Sequence, residues 1–301
     1  MNISWKVNKL KDTFATYHPI INFIYFCAVI VLSMLFLHPI FLAITIAGSL
    51  TYSISLNGRK GLRQIAIYLV PMMILAALIN PLFNHRGVTI IGYFNNNPIT
   101  LESIYYGIAV GIMFGSVILW FSCFYSVFTT DKLTYLFGRV APSLSLILSM
   151  VLRFVPRFKT QLRIITNGQK CLGRNVTDGT VGQRVKNGIK ILSIMISWAL
   201  ENSIETADSM KSRGYGLPGR TSFSIYRFDA RDKIALLVLI ILIVLISYGA
   251  LMDWYQIQYF PSIKVKYDKP AIFAIYFALC FAPTFLNIWE AIKWKRLKSK
   301  I

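Results

Sequence analysis

The stretch Ala207-Asp208-Ser209-Met210-Lys211-Ser212-Arg213-Gly214-Tyr215-Gly216 lies in a basic segment, residues 131–232, that separates two groups of strongly apolar segments. A helix is predicted to begin near Gly188 and to end in this stretch. Its end is predicted at Gly214, because glycine commonly follows the last turn of a helix. The apolar segments on either side carry no residue equipped for chemistry. We therefore predict a membrane scaffold that presents this polar segment as a mechanical coupling element.

The overall composition is typical of a membrane protein. Of 301 residues, 55% are hydrophobic and 15% are charged, whereas charged residues approach about a quarter of a soluble domain. The net charge of +20 could indicate nucleic-acid binding. However, the basic residues follow the predicted membrane topology, so we predict no nucleic-acid partner. The predicted fold class is an all-α polytopic membrane protein in a lipid bilayer.

Six apolar segments are long enough to cross a membrane once, because a helix of about eighteen residues covers about 27 Å, close to the thickness of a hydrocarbon core. Two further apolar runs, 143–152 and 189–200, are too short to cross. We predict spans 1–4 in residues 1–130, a helical coupling domain in 131–232, and spans 5–6 with a basic tail in 233–301. The predicted spans are 20–37, 39–56, 65–83, 103–128, 233–252 and 270–292.

The distribution of lysine and arginine indicates the orientation, because cytoplasmic loops carry an excess of both. With both termini in the cytoplasm, 28 of the 32 basic residues lie inside and 4 lie outside. If the two short apolar runs also crossed, the external number would rise from 4 to 12. We therefore predict six transmembrane helices in the cell membrane, cytoplasmic N- and C-termini, a cytoplasmic 131–232 segment and an exposed outer loop over 84–102.

Two amphipathic helices are predicted in the cytoplasmic segment, because apolar residues recur there at helical spacing. Pro156 predicts a bend or a fresh helix start within the first of them. Acidic residues on the second are predicted to form a solvated or internally paired face rather than a metal site. The apolar positions are Val151, Val155, Phe158, Leu162 and Ile165 in the first helix and Leu192, Met195, Ile196, Ala199, Ala207 and Met210 in the second; the acidic ones are Glu201, Glu205 and Asp208.

Each of these helices is predicted to end at a glycine with an arginine nearby. Gly173 is followed by Arg174, and Gly214 is preceded by Ser212 and Arg213. The exposed carbonyls of a helix C-terminus carry partial negative charge, so an arginine there can satisfy its own helix. It can also bind a carboxylate of another protein through two parallel hydrogen bonds. Two interpretations therefore stay open, a solvated helix cap and a docking site.

Three glycines of the fourth span, Gly107, Gly111 and Gly115, share one helix face at intervals of four residues. Small residues at this spacing let helices approach closely in lipid, although glycine is also common in membrane helices for other reasons. We predict a close helix contact along this face.

Residues for catalysis, metal binding or autonomous transport are not evident. The sequence has no GxxxxGK[ST], HExxH or DxxxD motif, and His18, His38 and His85 are isolated. We therefore predict no catalytic residue, no metal and no cofactor, with ATP hydrolysis left to a partner. One alternative is a stand-alone secondary transporter or channel, which needs ionisable groups at mid-membrane. Another is a membrane enzyme, such as a prenyl- or phosphotransferase, which needs paired carboxylates or a His/Asp cluster.

Several motifs together resemble the transmembrane (T) component of energy-coupling factor (ECF) transporters, the CbiQ-like family of vitamin and metal-ion importers. The most specific is Ser212-Arg213-Gly214-Tyr215, which looks like the family's second Ala-Arg-Gly-type motif. The resemblance covers nearly the whole chain. Its other elements are His18-Pro19, His38-Pro39, the stretch 80–87, and Arg153-Phe154-Val155-Pro156 with Gln169 downstream.

This resemblance implies two long crossing coupling helices, each ending in such a motif. Each motif would dock into a groove of one of two cytoplasmic ABC ATPase subunits, with its arginine paired to an acid. The resemblance also implies a separate substrate-binding (S) component in the membrane, which ATP-driven motion of the coupling helices would reorient.

One position departs from the family pattern. Counted from Arg153, the first motif falls at Cys171-Leu172-Gly173, so Leu172 occupies the expected arginine position and Arg174 lies two residues later. Either Arg174 acts from a shifted position or this end docks mainly by apolar contact. The predicted docking residues are Leu172, Gly173, Arg174, Ser212, Arg213 and Gly214.

Overall fold

The computed structural model describes residues 12–58, 63, 67, 70–84, 86–94, 97–218, 226–252, 254–255, 257–265 and 269–298. In this part the chain is predominantly helical, with a short 3₁₀ helix (Phe14–Thr16) and two short hairpins. The helices are α1 (Pro19–Leu35), α2 (Pro39–Asn57), α3 (Val70–Phe83), α4 (Leu101–Val127), α5 (Thr130–Val140), α6 (Pro142–Cys171), α7 (Val181–Ser212), α8 (Ala230–Leu251) and α9 (Ala271–Lys298), and the strands are β1 (Ile90–Phe94), β2 (Asn97–Thr100), β3 (Ile257–Gln258) and β4 (Lys264–Val265).

Six of these helices correspond to the predicted spans. Among the described residues, α2, α4, α8 and α9 are long and apolar enough to cross a membrane. Helices α1, with 17 residues, and α3, with 14, are shorter apolar helices. Residues 65–66 and 68–69 of the predicted third span, His85 and most of the basic loop 57–63 lie outside the described residues. The structure supports a multi-helix membrane protein, and six full spans stay a prediction.

The chain forms two compact units. The first contains the residues up to Leu133 and those from Tyr226 onward, and the second is Thr134–Ile225. In the first unit, α4 contacts α1, α2 and α3, while α9 contacts α2 and α8. The core between these helices is largely aromatic, and its fully buried side chains include Phe26, Phe41, Tyr52, Trp120 and Tyr276.

Hydroxyl groups in this core form hydrogen bonds between neighbouring helices. The Tyr25 hydroxyl donates to the Leu279 carbonyl oxygen at 3.1 Å, and the hydroxyls of Thr45 and Tyr276 are 2.7 Å apart. A buried hydroxyl needs a partner, so these bonds fix the register of α1 and α2 against α9.

The two His-Pro pairs begin α1 and α2. In each pair the proline is the first helical residue, where a missing N–H costs no hydrogen bond. The histidine before it is the N-cap: Nδ1 of His18 accepts from the Ile20 N–H at 3.3 Å, and Nδ1 of His38 accepts from the Ile40 N–H at 3.3 Å. The pairs therefore serve as helix starts.

Helix α8 is apolar on most of its surface and yet largely exposed within the chain. Ile234 is 66% exposed, Leu237 is 59% exposed and Val244 is 57% exposed. A helix that is apolar all round requires an apolar environment, such as lipid or a partner's surface.

The predicted outer loop, 84–102, contains an antiparallel hairpin of β1 and β2, so the all-α prediction omitted strands. The run Ile90-Ile91-Gly92-Tyr93-Phe94 has the β-branched and aromatic residues that favour a strand. Glu102 holds the base of this hairpin, because its carboxylate accepts from the Thr89 hydroxyl at 2.8 Å and from the Thr89 N–H at 3.2 Å.

One expectation for the second unit was wrong, and another was wrong in part. Helix α7 begins at Val181 rather than near Gly188, because Thr180 and Gln183 form a capping box in which the Thr180 N–H donates to the Gln183 side chain at 3.1 Å. Helix α6 has no fresh start at Pro156, since one missing N–H within 30 residues leaves the rest of the hydrogen-bond ladder intact. The bend predicted there as the alternative stays a prediction. The short helix α5 was not predicted.

Candidate docking site

The candidate site consists of the C-terminal ends of α6 and α7, two helices that contact each other within the second unit. Near the middle of both helices, the rings of Phe158 and Trp198 pack edge to face with centroids 5.4 Å apart. The guanidinium carbon of Arg157 lies 5.6 Å from the centroid of the Trp198 ring, within the range of a cation–π interaction. This aromatic contact joins the two helices.

Helix α6 ends in a Schellman motif. Leu172 is the C-cap, and Gly173 follows it with a φ of +72°, the left-handed region that favours glycine. The Gly173 N–H donates to the Lys170 carbonyl oxygen at 3.0 Å, and the Arg174 N–H donates to the Gln169 carbonyl oxygen at 2.9 Å. These two bonds satisfy carbonyls that a helix end otherwise leaves free.

Helix α7 ends in the same way. Arg213 is the C-cap, and Gly214 follows with a φ of +81°. The Gly214 N–H donates to the Lys211 carbonyl oxygen at 2.9 Å, and the Tyr215 N–H donates to the Met210 carbonyl oxygen at 3.0 Å. The sequence predicted both glycine stops correctly.

The hydrogen bonds align the two ends residue by residue. Leu172 corresponds to Arg213, Gly173 to Gly214, and Arg174 to Tyr215, one position past the glycine. All the predicted docking residues are exposed except Gly214, which is half-buried, and Leu172 is 67% exposed. The α6 end thus presents an apolar side chain where the α7 end presents a guanidinium.

Helix α7 also carries an exposed apolar stripe. Its members recur every three or four residues, and each is more than half exposed. An apolar face of this length calls for another apolar surface. Of the predicted apolar positions, Leu192 and Ile196 belong to this stripe, which comprises Val181, Val185, Ile189, Leu192, Ile196, Leu200 and Ile204.

The acidic residues of α7 lie on its exposed surface. Glu201, Glu205 and Asp208 are all exposed. Within the described ranges, no group of three or more histidines, cysteines or acidic residues could hold a metal ion.

In the first unit, Gly107 and Gly111 of α4 lie against the backbone of α3. A Cβ atom on Gly107 would be 2.6 Å from the Ala76 carbonyl oxygen, and one on Gly111 would be 2.7 Å from the Met73 Cα. Only glycine permits backbones to approach this closely. Gly115 is buried farther along α4.

A buried lysine that sequence reasoning missed lies just before the second unit. The Lys132 ammonium donates to the carbonyl oxygens of Ala15 at 2.7 Å and Val127 at 3.1 Å. With its amide oxygen toward the lysine, Asn22 accepts a third bond at 2.9 Å. Burial lowers the pKa of Lys132 to about 8, although nearby Asp12 acts in the opposite direction. The lysine therefore joins the end of α4 to the 3₁₀ helix.

A family model described as CbiQ, cobalt transport protein, matches residues 15–225, more than two thirds of the chain. The matched range includes both helix ends. The chain belongs to the CbiQ family. This membership confirms the resemblance that the sequence motifs indicated.

Three relatives of this CbiQ-family chain are named energy-coupling factor transporter transmembrane protein EcfT. The Lactobacillus helveticus protein is 34% identical over 33% of this chain and 36% of its own length. The Streptococcus thermophilus protein is 28% identical over 59% of this chain and 71% of its own length. The Listeria monocytogenes protein, EcfT 1, is 28% identical over 62% of this chain and 71% of its own length. The chain thus spans little more than a third of the first relative and 71% of the other two.

Proposed function

We propose that this chain is the T component of an ECF transporter, the scaffold and coupling subunit of an ABC-type importer. Membership of the CbiQ family and the similarity to proteins named EcfT support this proposal. The single observation that carries it is the pair of contacting helices that end in the same exposed Schellman motif, one with Arg213 at the cap.

The proposed topology has six transmembrane helices with both termini in the cytoplasm. Helices α6 and α7 then lie on the cytoplasmic side, with residues 131–232 as the coupling domain. The excess of basic residues on that side supports this arrangement, as does the exposed apolar surface of α8.

Each helix end is proposed to dock on one of two cytoplasmic ABC ATPases. At the α7 end, Arg213 would form charge-assisted hydrogen bonds with a carboxylate in the ATPase groove. At the α6 end, Leu172 would bind by apolar contact, with Arg174 at the edge. The exposed Ser212 hydroxyl donates to the Ser209 carbonyl oxygen at 2.9 Å and keeps its lone pairs for accepting a hydrogen bond from the ATPase.

The exposed stripe of α7 is proposed to contact the membrane-embedded S component, which selects a vitamin or metal ion. The ATPases hydrolyse ATP and move α6 and α7, and these helices transmit the motion to the S component. In this arrangement the T component has no catalytic residue, metal or cofactor of its own.

Co-purification tests the proposed partners. The chain, tagged and isolated from its native membrane under mild conditions, should carry two ABC ATPases and a small integral membrane protein, identified by mass spectrometry. Uptake by these reconstituted components should require ATP. Isolation without any ATPase would contradict the proposal.

Cys171 offers a direct test of topology, because this native thiol is exposed at the last residue of α6. A membrane-impermeant maleimide should label it in inside-out vesicles and leave it unlabelled in right-side-out ones. Cys171→Ser is the control that separates its signal from the other thiols. Labelling in right-side-out vesicles only would place α6 and α7 outside the cell.

A stand-alone transporter is the alternative to be excluded. In the described parts of the six apolar helices, aspartate, glutamate, lysine and arginine are confined to the first turn of α4 and α8 and to the C-terminal third of α9. Coupled transport through such helices would lack the ionisable groups that it needs at mid-membrane. Uptake into liposomes that contain this chain alone would establish the alternative.

A further inference from the structure

An apolar crevice of about 440 Å³ lies in the first unit between α1, α8 and α9. Its inner wall consists of buried aromatic and aliphatic side chains, among them Phe14, Ile21 and Tyr25. Its rim is open, because Ile234 and Phe285 are 66% and 52% exposed. The crevice therefore opens sideways, along the surface of two helices that are long and apolar enough to cross a membrane.

A positively charged side chain, that of Arg231, lies at one end of this crevice. Arg231, in the first turn of α8, is the only charged residue among the described residues that line it. Its guanidinium carbon lies 4.3 Å from the centroid of the Tyr17 ring, and Nη2 is 3.5 Å from the Thr16 hydroxyl. A guanidinium has five N–H donors, so the residue is held in place by Tyr17 with donors to spare for an anion.

The size of the crevice distinguishes between possible occupants. From Arg231 to Leu242 it follows α8 for about 16 Å, roughly half of a hydrocarbon core of about 30 Å and so the depth of one leaflet. The crevice is narrow for its length, since about 440 Å³ is spread over about 16 Å along α8. A flexible acyl chain can lie along its floor, whereas a helix about 10 Å wide could contact only the open rim.

We propose that this crevice is a binding site for a membrane glycerophospholipid, with one acyl chain between α8 and α9 and the phosphate on Arg231. The site requires that α8 cross the membrane, and it is independent of ATPase docking. The carboxylates of Asp232 and Glu290 also lie near enough to Tyr17 to act on it electrostatically, in the sense opposite to Arg231. These negative charges offset the positive charge of Arg231, so the site does not favour a headgroup with a net negative charge. Phosphatidylethanolamine and phosphatidylglycerol should therefore bind equally well.

The test uses the full chain, with whatever subunits co-purify, and a phospholipid that carries a photoreactive group in its acyl chain. Illumination followed by peptide mass spectrometry should place the label within 231–242 and 279–286. Arg231→Gln should weaken retention of the lipid by about tenfold or more, since it removes a charged hydrogen-bond donor. Arg231→Lys should restore much of the binding, because it keeps the positive charge.

Two further variants make the test specific. Lys233→Gln removes a cation from the same turn of α8 without touching the crevice, and it should bind lipid as the unchanged chain does. Ala282→Trp should fill the crevice and abolish labelling there, while label on the outer faces of α8 and α9 persists. Glycerol phosphate, which has no acyl chain, should not compete.

Three results would overturn the proposal. One is retention that neither Arg231→Gln nor Ala282→Trp changes, which would mean ordinary annular lipid. Another is equal loss in Arg231→Gln and Lys233→Gln, which would mean attraction by bulk charge. The third is a protein cross-linked at the crevice in place of lipid. If Arg231→Gln does not fold, Arg231→Lys and Ala282→Trp decide the question through the site of the label.

Discussion

Leu172 and Arg213 occupy the same hydrogen-bonded position, the C-cap of a Schellman motif, at the ends of α6 and α7. The backbone is therefore alike at the two ends, while the side chain differs between apolar and cationic. Two ATPase grooves that receive these ends would meet different chemistry. Because the two cap residues differ, the docking proposal can be tested separately at each helix end by substituting Leu172 or Arg213.

Reversing the charge at the α7 end should break docking. Breaking one side of a buried charge pair costs about 3–5 kcal/mol, so Arg213→Glu should weaken capture of the ATPases by at least about a hundredfold. The measurement is the amount of ATPase bound to the immobilised chain at increasing ATPase concentration. Lys190→Glu makes the same charge change at an exposed site on α7 and should leave binding intact. Undiminished binding by Arg213→Glu would contradict docking through this residue.

Truncating the apolar cap of α6 tests how this end docks. Burying a leucine side chain contributes about 1.5–3 kcal/mol, so Leu172→Ala should weaken ATPase binding by about tenfold or more. Arg174→Ala should have a smaller effect in the same assay, because Arg174 lies past the glycine rather than at the cap. If Arg174→Ala causes the larger loss, the shifted arginine is the docking residue.

The shape of the α7 end depends on Gly214. An L-residue in the left-handed region costs about 1–2 kcal/mol, and a Cβ here would also be 3.1 Å from Cδ1 of Leu217. Gly214→Ala should therefore speed hydrogen exchange at the amides of positions 214 and 215 and weaken ATPase binding. Gly188→Ala is the matched control within α7, where a Cβ meets nothing within 4 Å. That change should stabilise the helix by about 0.5–1 kcal/mol.

The parts of the structure that were predictable from the sequence have local signals. Apolar runs long enough for a helix mark α1, α2, α4, α8 and α9, and Gly173 and Gly214 mark the two stops because each requires a positive φ. The start of α7 also had a local signal, Thr180 with Gln183, but Gly182 and Gly188 weigh against a helix there.

Contacts between distant residues had no such signal. The packing of Phe158 on Trp198 depends on where two long helices meet, and the burial of Lys132 depends on a 3₁₀ helix more than 100 residues earlier in the chain. In the distribution of lysine and arginine that indicates the orientation, Lys132 is one basic residue among 32. The docking role proposed for the helix ends came from the family resemblance, because a capped helix and a docking helix look alike locally.

The close approach of α3 to α4 should not tolerate a side chain. Gly111→Leu would place atoms within the space of the Met73 backbone, and overpacking of this kind costs about 1–3 kcal/mol. We expect a lower thermal unfolding midpoint in detergent for this variant. Gly92→Ala, where a Cβ meets nothing within 4 Å, should leave the midpoint unchanged. Equal midpoints for the two variants would mean that α3 and α4 are not tightly packed.

Lys132 should make the stability of the first unit rise with pH. Its folded pKa of about 8 lies below the ordinary value of 10.5, so between these values the unfolded chain holds a proton that the folded chain has released. Unfolding then becomes less favourable as the pH rises, by at most about 1.4 kcal/mol per pH unit for one proton. Below about pH 8 both states are protonated and the dependence on this group disappears.

Lys132→Met removes the titrating group and should abolish this rise. Thermal unfolding midpoints measured in detergent from about pH 7 to about pH 10 provide the test, with the difference between variant and unchanged chain as the readout, since other groups titrate equally in both. Lys190→Met, which removes an exposed lysine, should keep the rise. A rise that persists undiminished in Lys132→Met would show that burial of Lys132 is not its cause.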